Sequence, residues 1–180
     1  GATTRVALLP SPLRNRFGAI FQLQFYEQAD IAQIIQRSSS IFHIAIDPSA
    51  VELIASRSRH TPRIANRLLK RVRDFATIEG SDRITEPIAS KAHHFLEVDE
   101  LGLEPDDRNL LQTIIHKFSG GPVGLQALAA AASEEEDAIL DLYEPYLLQL
   151  GFMERTPRGR IATPSAYSHL KIALRQPELL

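Results

Sequence analysis

Three times within 40 residues a helix-capping side chain is followed at once, or after one residue, by proline: Asp47-Pro48, Thr61-Pro62 and Thr85-Glu86-Pro87. Proline has no N–H to offer a helix interior, but the first turn does not need one, so each pair marks a helix start. The first predicted helix carries Val51, Leu53 and Ile54 towards Arg57. The second carries Ile64, Leu68, Leu69, Val72 and Phe75 and stops near Gly80, and the third turns Ile88, Ala92 and Phe95 inward. A further helical stripe, Ile31, Ile34, Ile35 and Ser38, begins after Glu27. Four helices over about 70 residues make a small bundle.

The flanks follow other patterns. Residues 1–26 read as strand, loop, strand: Leu8-Leu9, the breaker Pro10-Ser11-Pro12, then Ile20-Phe21-Gln22-Leu23-Gln24-Phe25 with apolar–polar alternation. Two short strands cannot bury themselves, so this stretch needs a sheet. With no initiator Met and no signal pattern, it is expected to be an interior part of something larger.

Residues 99–108, acidic with Gly102 and Pro105, read as an interdomain connection. A helix over 105–118 follows, then Gly120-Gly121-Pro122, a short Ala-rich helix (125–132), and a helix capped by Ser133 and ending at Gly151. Glu134, Glu135 and Glu136 in its first turn suit the positive end of a helix dipole better than a metal. Residues 152–162 read as strand, tight turn, strand. Three helices and a hairpin are the winged-helix arrangement.

Charge is unevenly spread along the 180 residues. Residues 1–98 carry net +4 and residues 99–180 net −6; residues 57–73 hold seven basic side chains and no acid. Such a block meets anions or a solvated helix face. No apolar run approaches the roughly 20 residues needed to cross a bilayer. Cysteine is absent, which suits a reducing cytosol. The adjacent His93 and His94 point different ways on a helix and do not share a metal.

Several segments resemble the RuvB family, the hexameric AAA+ ATPases that drive branch migration of Holliday junctions. They are Gly1-Ala-Thr-Thr-Arg5, Ser11-Pro-Leu-Arg14-Asn-Arg16-Phe-Gly18, Thr61-Pro-Arg63-Ile-Ala-Asn-Arg67, Gly120-Gly-Pro-Val-Gly-Leu and Arg155-Thr-Pro-Arg-Gly-Arg160. The resemblance spans nearly the whole chain in one order. It implies a mainly α protein: the last strands of a large AAA+ domain (1–26), a helical lid (27–97) and a DNA-binding winged-helix head (100–180).

The resemblance also implies site residues. Arg16 corresponds to an arginine finger reaching a neighbouring subunit's γ-phosphate, which a permanently charged, forked guanidinium suits. Arg14 corresponds to a support of that interface. Thr4, with Thr3 beside it, matches the sensor position that holds the attacking water. Arg63 matches the lid arginine that meets nucleotide phosphates, at a helix N-terminus that already favours anions. Tyr26 and Pro62 correspond to residues near the adenine of ATP. Arg155, Arg158 and Arg160 match DNA-backbone contacts of the wing, while the acidic helix 134–150 is unsuited to a major groove. The implied partners are Holliday-junction or duplex DNA, identical subunits in a hexameric ring, and a RuvA-like junction-binding subunit, in the cytoplasm.

Neither a Gly-Lys-Ser/Thr phosphate loop nor an acidic Mg²⁺ segment is in the sequence, so these 180 residues alone are expected to be inactive as an ATPase. His60 departs from the family pattern, which has glycine there, and Val6 stands where a small residue is common. A non-enzymatic winged-helix DNA-binding or regulatory module is the alternative reading. A clamp-loader ATPase would share finger and lid, without the Arg155–Arg160 wing.

Overall fold

The computed structural model describes residues 1–3 and 9–174. Helix α1 (Ser11–Arg14) is a single turn. Four helices follow: α2 (Gln28–Ile41), α3 (Pro48–Ser56), α4 (Pro62–Ile78) and α5 (Glu86–Phe95). Each of the last three begins where its proline placed it, because a cap position and a fixed φ act locally. Two of the three capping side chains are engaged elsewhere. Neither Asp47, Thr61 nor Thr85 caps its helix through its side chain. Asp47 accepts from Arg83 at 2.7 Å and Thr61 donates to the Ser58 carbonyl at 3.1 Å.

The apolar stripes converge as the 3.6-residue period requires, and Ile31, Ile35, Ile54 and Leu69 are fully buried. Two short strands, β1 (Ala45–Ile46) and β2 (Arg83–Ile84), pair in parallel and close the bundle beneath Ile84. Two residues each is too little for periodicity to reveal.

A second core starts at Leu103. Helices α6 (Pro105–Lys117) and α7 (Leu125–Ala132) are followed by the single turn α8 (Glu136–Ala138), a π turn (Ile139–Tyr143) and α9 (Glu144–Gln149). The π turn sits where Pro145 leaves the Asp141 carbonyl without its usual helical donor. Strands β3 (Met153–Thr156) and β4 (Gly159–Ala162) form the expected hairpin, and α10 (Pro164–His169), capped by Thr163, packs behind it. Val123 bridges to Arg160 as a third rung. Gly159 makes this possible: at φ +138° its Cβ would lie 2.3 Å from the Val123 carbonyl oxygen.

Two expectations need correction. Ser133 ends α7 in the left-handed region (φ +61°) instead of starting the next helix. That helix begins at Glu136, so Glu134 lies outside its first turn and accepts from the Tyr143 hydroxyl at 3.3 Å. The alternating segment at 20–25 forms no strand: Ile20, Phe21 and Leu23 are 70%, 85% and 90% exposed. A strand needs a neighbour to satisfy its backbone, and none lies beside it among the described residues.

Candidate functional site

The basic block at the start of α4 separates into two sets. Arg57, Arg59 and Arg67 turn towards residues 98–107: to the Val98 carbonyl (3.2 Å), to Asp107, and to Glu104 respectively. Arg63 stays exposed in the first turn of α4. That turn holds no acid and no side-chain cap, so its N–H groups and Arg63 together present a positive end to solvent. Beside it lies an open cleft of about 410 Å³ lined by Leu23, Phe25, Tyr26, Asp30, His60 and Pro62. Tyr26 and Pro62, thirty-six positions of sequence and two helices apart, share this cleft because His60 ties Tyr26 down. The Tyr26 N–H donates to the His60 carbonyl (3.2 Å), and His60 Nδ1 lies 2.9 Å from the Tyr26 carbonyl oxygen.

Near the N-terminus, Arg14 closes α1 and donates to Ser11 Oγ at 3.2 Å. Because this stretch is helical, Arg14 and Arg16 do not share the face that an extended chain would give them. Arg16 is exposed, with no side-chain hydrogen bond or ion pair among the described residues. Thr4 lies outside the described residues, as does Val6.

The wing is organised around a carboxylate. Arg155 and Arg160 face each other directly across β3 and β4, so both side chains leave the same side of the hairpin. Like charges so placed repel. Glu144, fully buried in the first turn of α9, sits between them: Arg155 Nε donates to Oε1 at 2.5 Å and Arg160 donates to both oxygens at 3.2 and 3.3 Å. Burial disfavours ionised Glu144, but these hydrogen bonds outweigh it and hold the carboxyl below its usual range. Arg158 stands at the exposed turn, its backbone N–H bonded to Thr156 Oγ1 at 3.2 Å. The neighbouring helical segment presents exposed Glu135, Glu136, Asp137 and Asp141.

Residues 26–99 match the family model of the RuvB AAA lid domain, and residues 100–171 match that of the RuvB C-terminal winged-helix domain. The chain belongs to the RuvB family. Its relatives include the Holliday junction branch migration complex subunit RuvB of Dehalococcoides mccartyi, 59% identical over 172 residues (96% of this chain, 49% of that protein). The subunit of the same name from Chloroflexus aggregans is 56% identical over 170 residues (94% and 49%). The chain thus spans about half the length of these relatives. Among solved structures, a point mutant of Thermotoga maritima RuvB superposes with a TM-score of 0.91 at 52% identity, covering 98% of this chain and 58% of that one. The Thermotoga maritima RuvB branch migration motor gives 0.88, also at 52%, covering 93% and 56%. The fold is accordingly a RuvB-type AAA lid joined to a RuvB winged helix, mainly helical.

Within this RuvB scaffold three residues escaped the sequence reading: Arg59, Asp107 and Glu144. Arg59 and Glu144 act through partners 11 to 48 positions away, which nothing local marks, whereas Asp107 also closes a capping box with Glu104 at the start of α6, a local signal that the spacing Glu104-Pro-Asp-Asp107 offers. His60, the departure from glycine, keeps glycine's backbone: its φ is +54°, a left-handed value uncommon for other residues. Its imidazole bond to Tyr26 is what glycine could not make. Among the described residues no three His, Cys, Asp or Glu side chains gather to hold a metal, and no helix is long and apolar enough to cross a membrane.

Proposed function

We propose that this chain is the C-terminal part of an ATP-driven subunit that moves Holliday-junction or duplex DNA, with the lid reading nucleotide and the wing gripping the DNA backbone. The observation that carries this reading is the wing. Glu144 fixes two arginines of like charge side by side on one face, Arg158 tips the turn, and the adjoining helix is acidic. This arrangement favours phosphate contact by the hairpin and disfavours a helix in the major groove. It carries no base-reading pattern, as suits a motor indifferent to sequence.

ATP fits the lid side. The cleft is of a size for a purine, Tyr26 and Pro62 offer it an aromatic face and a rigid wall, and the start of α4 with Arg63 faces phosphate. When bound, ATP supplies the phosphoryl-transfer free energy. Mg²⁺ and the phosphate-loop lysine belong to segments this sequence does not contain. Arg16 serves a neighbouring subunit's γ-phosphate, Thr4 positions the attacking water, and residues 1–26 belong to a large AAA+ domain; residues 27–97 form the lid and 100–180 the head. The assembly is a hexameric ring of identical subunits with a RuvA-like partner, in the cytoplasm.

The test uses subunit mixing in the full-length ATPase that includes this chain. Arg16→Ala subunits added to intact ones are expected to depress hydrolysis below simple dilution, because each also disables its neighbour. Loss in proportion to dilution alone contradicts action across subunits.

A further inference from the structure

We infer that Arg59 is the positioning residue that makes lid and winged helix one body, joining the turn before α4 to the helix that sets the wing. Residues 98–104 have the composition of a flexible connection, and relative motion across such connections is the ordinary expectation. Here the backbone of that segment is spoken for from both sides. The Val98 carbonyl accepts from Arg57 (3.2 Å), the Leu101 carbonyl from the Tyr146 hydroxyl (2.6 Å), and the Gly102 carbonyl from Arg59 Nε (2.8 Å). Gly102, at φ +77°, lies so close to the lid that a Cβ there would fall 2.3 Å from the Arg57 carbonyl oxygen.

Arg59 is the centre of this junction. Its side chain is 8% exposed, and its fork spans both oxygens of Asp107, which is fully buried in α6. Asp107 Oδ2 also accepts from the Glu104 N–H at 2.8 Å. The guanidinium carbon stands 5.2 Å from the centroid of the Tyr146 ring in α9. A buried pair satisfied on all sides cannot open without stranding a charge in each domain, so it resists hinge motion whatever its net effect on stability. The exposed Arg67–Glu104 pair has no such property.

The junction also has direction. Arg59 and His60 are consecutive and both left-handed (φ +50° and +54°). One side chain grips the head and the other the Tyr26 carbonyl. At the far end, Tyr146 lies two residues beyond Glu144, the carboxylate that sets Arg155 and Arg160. A shift of Tyr26 is therefore relayed towards the wing through His60, Arg59 and Tyr146 and the short backbone links 59–60 and 144–146. What the shift does to DNA rests on the proposed function; the rigid body does not.

The sequence has no cysteine, so two can be introduced for spin labels at exposed sites, Lys91→Cys on α5 and Gln126→Cys on α7. Pulsed dipolar spectroscopy of the doubly labelled chain should give one narrow distance distribution. Arg59→Met should broaden it about twofold or more, towards ordinary interdomain freedom. Arg59→Met with Asp107→Leu, which strands no carboxylate and keeps each domain folded, should broaden it as much. Arg67→Ala should leave it narrow. A distribution that stays narrow in the Arg59→Met/Asp107→Leu variant overturns the inference. No DNA or nucleotide is present, so failure of the wing or cleft assignments would leave this result standing.

Discussion

Away from the junction between them, the lid and the winged helix treat a buried ionisable group in opposite ways. The head buries Asp107 and Glu144 completely and gives each an arginine. The lid buries His93 completely on α5, with neither ring nitrogen hydrogen-bonded. Burial, and secondarily the nearby charge of Arg57, lower its pKa to about 4. At Glu144 the hydrogen bonds outweigh burial and hold the charge in place, at Asp107 burial outweighs Arg59 and raises the carboxyl's pKa, and at His93 burial excludes the charge. This matches what the two units present: preset arginines on the wing, and on the lid an open cleft beside the exposed Arg63.

The largest expected effect follows from that contrast. His93 binds its proton near pH 6.5 in the unfolded chain but near pH 4 in the native lid. The unfolded state therefore binds more protons through this interval. Lid stability should fall as the pH drops from about 6.5 to 4, by about 3 kcal/mol in all, and not change further from this source below that. Chemical denaturation across this range, monitored by amide exchange of α5, should show the loss. His93→Leu should remove it; an unchanged pH dependence in that variant would place the acid sensitivity elsewhere.

Glu144 sharpens the other side of the comparison. Its pKa is depressed in the folded state, so its stabilisation is present above the ordinary carboxylate range and is lost only as the pH falls through the lowered value. The head should therefore outlast the lid in acid. Glu144→Gln should cost about 2 kcal/mol, less than a fully buried pair because Arg155 is 55% exposed. The same change should weaken DNA binding without touching Arg155 or Arg160. If the hairpin holds its geometry and affinity in Glu144→Gln, the carboxylate is not what presets the wing.

How much of this is legible in the sequence divides along the same line. The starts of α3, α4 and α5 follow from a cap position and a proline, the hairpin from a turn between apolar runs, and the RuvB likeness from short local strings. What acts at a distance stays hidden. Arg59 is one more basic residue in a block until Asp107, 48 positions on, is seen beneath it. Glu144 is one more acid in an acidic helix until the hairpin folds back on it. Ser133 misleads because the same small polar residue that caps a helix start also tolerates the left-handed turn that ends one. The segment 20–25 has a strand's alternation, but alternation states which face is apolar and supplies no partner.

The central claim is that the wing grips DNA through its backbone, and Arg158 tests it most cleanly. It is exposed and makes no ion pair among the described residues, so Arg158→Ala should leave stability within about 0.5 kcal/mol. Binding of this chain to four-way junction DNA should be titrated against salt, with and without Arg158. Arg158→Ala should bind more weakly on every DNA sequence, with a log–log salt slope shallower by about one. Equal affinity and equal slope would contradict it.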